Sequence, residues 1–386
     1  MELSEVKGWR HHLHAHPETA FDEWKTSAFV ADKLRSFGLE VTEGLAGTGV
    51  VGVLRGTGNG PTISLRADMD ALDIQEANTF GHASRIPGKM HACGHDGHTA
   101  MLLGAAQRLS ERQYTGTVQF IFQPAEENEG GGKRMIEDGL FRQFPCDAVF
   151  GMHNRPGLGI GTFALREGPS MASFDVFEIV IRGRGTHAAR PHLGADPIVA
   201  AGQIISGAQS IVSRSVDPLE AAVVSITEIK GGASWNVIPD SVVLRGTSRA
   251  LNHAVRDLLE AQLTNMACSV ADGLRCTATV SYDRRYPVLV NSPDWTRRCA
   301  EIAVRVAGHE NVSLNTPATM GAEDFAFMLE HVPGCYLWIG NGPSENGNIL
   351  HSPNYDFNDS AIGFGVEYWV SLAESLVASP TGELQD

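Results

Sequence analysis

The segment Met90-His91-Ala92-Cys93-Gly94-His95-Asp96-Gly97-His98 sets a thiol, three imidazoles and a carboxylate within nine residues. Thiolate, imidazole and carboxylate are the donors that hold zinc, manganese, nickel or iron. Further donors follow on separate segments: Glu126 and Glu127 after Gln123-Pro124-Ala125, His153 in Gly151-Met152-His153-Asn154, and His351 in Leu350-His351-Ser352-Pro353. Five such residues could hold two ions. Two ions suit hydrolysis, because they share and acidify a water while polarising the carbonyl it attacks. The adjacent Glu126 and Glu127 could divide the labour, one carboxylate on metal and one on the water. A base of ordinary carboxylate pKa needs a water already acidified in this way.

The elements that must position these donors interleave. Helical periodicity runs through the first forty residues, with Trp9, Leu13, Phe29, Val30, Leu34 and Phe37 ending at Gly38. Apolar strand-like runs follow at 49–54, 62–66, 117–123 and 147–152, with a helical run at 99–110. That alternation predicts an α/β layer with helices on both faces and ligands just after strands. The middle of the chain reads as strand 174–182, helix 197–214, strands 222–230 and 241–249, helix 255–272 and strand 274–282. Its β-α-β-β-α-β order is the ferredoxin-like motif. Asp196-Pro197 supplies a cap and a first-turn proline, and Gly273 is expected to close the second helix in the left-handed conformation. Residues 174–284 therefore read as a small domain inserted into a discontinuous one, 1–173 and 285–386.

At 386 residues, 42% hydrophobic and 19% charged, the chain is long enough for two cores and has ordinary globular composition. A net charge of −15 and the lack of a basic run argue against nucleic acid or an anionic membrane as partner. No leader pattern follows Met1 and no apolar run reaches membrane-spanning length, so a cytoplasmic protein is expected. Six cysteines without a CxxC pair fit reduced thiols. Disorder is expected only in the tail, 379–386.

Several patterns read as decoys. Gly47-Thr48-Gly49-Val50-Val51-Gly52 matches GxGxxG but lies in a strand-like run rather than between a strand and a helix. His11, His12, His14 and His16 fall in the first helix and suit a structural role better than ligation. Asp68-Met69-Asp70 is either a solvated turn or a pair orienting a ligand imidazole. No GxSxG elbow or GxxxxGK[ST] loop occurs.

Leu65–Leu72, the Met90–His98 cluster, Phe122–Glu127, Gly151–Asn154, Gly185–Pro191, Asn236-Val237-Ile238-Pro239 and His351–Asp359 together resemble the M20 metallopeptidase family. The branch is that of hippurate hydrolases, aminoacylases and auxin-conjugate amidohydrolases. The resemblance implies a zinc-peptidase-like α/β catalytic domain with an inserted ferredoxin-like lid that pairs two subunits. It implies that Cys93, His95, Glu127, His153 and His351 hold two divalent ions, and that Glu126 is the general base. The ions would be manganese, zinc, nickel or cobalt. His187, Asn236 and Arg249 match lid residues that stabilise the oxyanion or hold the substrate carboxylate, with His187 completing the partner subunit's site. Read from the residues alone, Arg249 offers a planar fork for a carboxylate or a lid salt bridge, and Asn236 could cap a turn. The implied activity is hydrolysis of N-acyl amino acids, N-acetyl or hippurate-like. The alternatives are a carboxypeptidase or dipeptidase on the same scaffold, and a non-catalytic binding protein.

Overall fold

The computed structural model describes residues 2–127, 129–345 and 348–377; the tail expected to be disordered, 379–386, lies outside them. The chain forms two compact units, one of residues 1–168, 290–317 and 324–386, the other of residues 169–289 and 318–323.

The first unit is built on an eight-stranded sheet in the order Glu40–Leu45, Gly49–Arg55, Thr117–Gln123, Thr62–Asp68, Ala148–Arg155, Gly334–Gly340, Phe163–Ala164, Val312–Ser313. The four central strands from Thr117–Gln123 to Gly334–Gly340 run parallel. Their sequences are continuous apolar runs, and nearly every residue is buried, as a parallel sheet covered on both faces requires. The first two strands pair antiparallel; the outermost, Glu40–Leu45, went unread because it is largely exposed and lacks a clean alternation. The helix His95–Ser110 is buried along most of its length between the sheet and the helices Leu3–Ala15 and Ile362–Val377. Close approach there depends on Gly365, where a Cβ would fall 2.1 Å from Met101 Sδ. The helix begins at His95 rather than at Thr99, so the donor cluster itself forms its first turn.

The second unit carries a four-stranded antiparallel sheet in the order Ala222–Gly231, Ser241–Ala250, Phe174–Arg182, Thr277–Tyr286. Along Phe174–Arg182 burial alternates strictly, with one face against helices Pro197–Ser210 and His253–Gly273. Asp196 caps the first helix by accepting from Ile198 N at 2.9 Å. The second helix ends differently from expectation. Gly273 stays helical, and the left-handed residue is Arg275 at φ 62°. Cys276 N reaches back to Ala271 O at 2.8 Å and Arg275 N to Asp272 O at 2.9 Å, so the terminal carbonyls are satisfied two residues later and the strand starts at Thr277.

Among the described residues, no helix is long and apolar enough to cross a membrane. Inside the second unit, Arg256 grips Asp175 through Nε and Nη2 at 2.6–3.1 Å, and Tyr282 OH donates to the same carboxylate at 3.0 Å. Both charges are buried. Arg256→Ala is expected to destabilise this unit by about 3–5 kcal/mol by leaving the carboxylate uncompensated, whereas the double replacement by leucines should cost much less. Denaturant-dependent hydrogen exchange across the 174–286 sheet measures both.

Candidate metal centre

Four segments of the first unit deliver the donors. Cys93 and His95 flank Gly94, which holds φ at 94° and passes so near Asn154 that a Cβ would lie 2.3 Å from its Oδ1. Glu126 and Glu127 follow the strand Thr117–Gln123 after Ala125, which stands at φ 52°. His351, itself at φ 63°, is tied down by its N–H to Ala92 O at 2.8 Å. His153 is placed otherwise than expected, within a strand rather than after one. The strand Thr62–Asp68 pairs with Ala148–Arg155 only through Gly151, so His153 emerges past that partner while its backbone still pairs with Trp338. The stagger opens a crevice at the carboxyl ends of the parallel strands.

The donors converge in that crevice. Cys93 Sγ lies 3.3 Å from His153 Nε2, and Glu127 Oε1 lies 3.0 Å from His351 Nε2. The donor atoms of Cys93, His95 and His153 all fall within 4.8 Å of one another, as do those of Cys93, Glu127 and His351, and those of His95, Glu126 and Glu127. The three groups share members, so they form adjoining nests. Their chemistry fits divalent cations. His95 Nε2 is buried without a hydrogen bond among the described residues, and Glu127 Oε1 has only the poorly aligned His351 nitrogen. A buried polar atom left in that state costs about 1–3 kcal/mol unless a ligand takes its lone pair.

Outer groups aim the donors. His95 Nδ1 donates to Asp70, 2.9 Å from its carbonyl oxygen and 3.1 Å from Oδ1, which turns Nε2 inward. Asp70 Oδ2 also accepts from Glu127 N at 2.9 Å. His153 Nδ1 donates to Asn154 O at 2.7 Å. Asp68 accepts from Arg66 at 2.8 Å and bonds His98 Nδ1 at 2.6 Å. Asp68 and Asp70 are thus buried orienting groups, and the solvated-turn reading fails. Burial opposes charge on His95, but Asp68, the Cys93 sulfur and Asp70 outweigh it and hold its pKa well above the ordinary value. The adjacent Cys93 sulfur and Glu127 carboxylate raise His351 to about 10, while burial and His98 push His153 well below its usual range. Burial and Glu127 raise Cys93.

The histidine run of the first helix is structural. His14 is buried and bonds Asp96 Oδ2 at 2.8 Å and Glu76 Oε1 at 3.2 Å, beside Arg10 Nε on the same Asp96 oxygen. His11 pairs with Asp359. Arg10 and Glu76 went unread in the sequence. Asp324 accepts from Arg66, Gln123 and the Gly132 N–H beneath the Glu126 turn, a role that its local sequence does not reveal.

Within the second unit, a short ladder between Thr186–His187 and Val237–Ile238 brings His187 beside Asn236. His187 Nδ1 accepts from Ala189 N at 3.1 Å, and Asn236 Oδ1 accepts from Ser234 Oγ at 2.5 Å. Arg249 makes no salt bridge among the described residues; its half-buried guanidinium lies 4.2 Å from the centre of the Phe174 ring.

The profile of peptidase family M20/M25/M40 matches residues 64–375. Hippurate hydrolase of Campylobacter jejuni subsp. jejuni is 41% identical over 94% of this chain and 94% of its own length. N-acetylcysteine deacetylase of Bacillus subtilis is 40% identical, again over 94% of both chains. The crystal structure of a Bacillus subtilis dinuclear metal-binding peptidase from the M20 family, YXEP, superposes with a TM-score of 0.85 at 36% identity, covering 97% of this chain and 98% of that one.

Because Asp70 aims both His95 and Glu127, Asp70→Ala is expected to lower divalent-cation affinity about 10–100-fold with little change in overall fold. Calorimetric titration with Mn²⁺ and Zn²⁺, set beside circular dichroism, checks it.

Proposed function

Because this chain belongs to peptidase family M20/M25/M40, we propose that it hydrolyses the amide bond of N-acyl amino acids, releasing a carboxylic acid and a free amino acid. Substrates would be of the N-acetyl or hippurate-like N-aroyl type. The observation that carries this reading is the convergence of five cation donors beside the carboxylate of Glu126.

In this reading Cys93, His95, Glu127, His153 and His351 hold two divalent cations, manganese, zinc, nickel or cobalt. Such a pair supplies Lewis acidity, lowering the pKa of water and polarising the scissile carbonyl. Glu126, almost buried and adjacent to Glu127, takes the proton from the attacking water and passes it to the departing amine nitrogen. His187 spends Nδ1 on Ala189 N, which leaves Nε2 free to donate to the developing oxyanion. Among the described residues Arg249 makes no salt bridge and stacks on Phe174, which supports its taking the substrate's carboxylate together with Asn236.

A homodimer through the 174–284 domain goes with this reading, His187 completing the partner's site. Among the described residues the edge strand Ala222–Gly231 pairs on one side only, and Ile198, Val199 and Ile229 of the same unit are exposed, which supports burial against a second copy. Six free cysteines support action in the reducing cytoplasm.

Hydrolysis of N-acetyl- and N-benzoyl-amino acids, compared with dipeptides under Mn²⁺, Zn²⁺, Ni²⁺ and Co²⁺, tests the activity; faster cleavage of dipeptides would favour a dipeptidase or carboxypeptidase instead. Glu126→Gln is expected to keep its metal and lose turnover by orders of magnitude, whereas Glu127→Gln should lose metal, read by elemental analysis beside kcat. Mixing His187→Ala with Glu126→Gln subunits should regenerate one intact site per heterodimer and up to about half of its activity. Background activity in demonstrably mixed dimers would exclude His187 acting across the interface.

A further inference from the structure

Glu23 occupies the N-cap position of helix Trp24–Ser36, where an acidic side chain ordinarily folds back onto the free N–H groups of the first turn. It makes no such bond. Glu18 takes over the task, its Oε2 accepting from Lys25 N and Thr26 N at 2.9 Å each and from Thr26 Oγ1 at 3.1 Å. Released from capping, the Glu23 side chain points inward and is fully buried. Its Oε1 accepts from Ala125 N at 2.9 Å and its Oε2 from Thr48 Oγ1 at 2.7 Å. Burial and the nearby Asp70 raise its pKa to about 7, so the placement is a costly one that the first helix turn does not need.

What the carboxyl group grips is the residue before Glu126. Ala125 stands at φ 52°, a left-handed conformation that a side chain with a Cβ disfavours. Its carbonyl is held by Gly131 N at 2.9 Å, and its N–H is held by Glu23. That turn sets where the next side chain projects. Without it, the backbone relaxes toward the ordinary regions and swings the Glu126 carboxylate away from its place near His95 and Glu127.

We infer that Glu23 is a positioning residue for the hydrolytic reaction: by holding Ala125 N it fixes the left-handed turn that presents Glu126 as the base. The inference rests on the reading of Glu126 given above. Misplacing a reacting group by an ångström costs about 10²-fold, so Glu23→Ala should lower kcat about ten- to a hundredfold with KM and bound metal unchanged. Glu23→Gln keeps an acceptor for Ala125 N and should retain most turnover. Adding Ala125→Gly to Glu23→Ala should restore much of the lost rate, because glycine adopts the turn unaided. A residue that only stabilised the helix would show neither effect. Hydrogen exchange at Ala125 N reads the grip directly, fast in Glu23→Ala and slow again in Glu23→Gln. Thr48→Val, which loosens Oε2 alone, carries the same test in a protein whose packing is preserved, with an intermediate loss of kcat.

Wild-type kcat in Glu23→Ala, a loss that tracks metal content, or no rescue by Ala125→Gly would each overturn the inference. Glu126→Gln measured alongside separates the two claims. If it stays active, the base assignment falls. If it is dead while Glu23→Ala exchanges Ala125 N slowly and turns over normally, only the role of Glu23 falls.

Discussion

Crowding the carboxylates of Asp68, Asp70, Glu126 and Glu127 into one mostly buried crevice sets like charges against each other where water screens them weakly, and most of the first unit is arranged around that conflict. Arg66 is buried between Asp68 and Asp324, His98 bonds Asp68, and backbone N–H groups of Glu127 and Gly132 are turned onto Asp70 and Asp324. A second layer repeats the pattern around Asp96, where Arg10 and His14 compensate a carboxylate one residue from His95. Burial favours the neutral form of Asp96, yet Arg10 and His14 hold its pKa far below the ordinary carboxylate range. The donors left over, His95 Nε2 and Glu127 Oε1, face the centre of this arrangement, and cations would complete its charge balance.

The backbone meets the same demand. Gly94, Ala125 and His351 all adopt left-handed conformations, and each adjoins or is a donor. Such conformations persist where surrounding bonds over-determine them. Here those bonds are Glu23 and Gly131 on Ala125, and Ala92 on His351. Regular structure supplies the platform and its irregular ends supply the aim. The parallel strands stop at different heights, so one strand can carry His153 into the crevice while its neighbour ends in Asp68.

The second unit solves a simpler problem. One face of its sheet is covered by two helices, the other alternates outward, and the Asp175–Arg256–Tyr282 cluster ties strand, helix and strand together. Of the residues proposed to meet substrate, His187 and Asn236 lie at an exposed two-residue ladder, whereas Arg249 is half-buried on the strand Ser241–Ala250 beside an aromatic ring. Loops carried on a rigid sheet suit residues that must meet a ligand.

Sequence alone determined the elements whose signal is local: the apolar runs of three of the four parallel strands, Gly334–Gly340 having gone unread, the alternation and cap of the inserted βαββαβ segment, and the clustered donor types that point to cation chemistry and to the family. It misjudged what depends on a few backbone angles. Arg275 rather than Gly273 turns left-handed, because the returning N–H groups of residues 275 and 276 decide where that helix stops. The compensating partners were beyond its reach. Arg10 meets Asp96 across 86 positions, Glu23 meets Ala125 across 102, and Arg66 meets Asp324 across 258. No periodicity encodes such pairs. They exist because the fold brings strand ends and helix starts into one crevice, where a buried charge must find an opposite charge or a donor from whichever segment lies nearest.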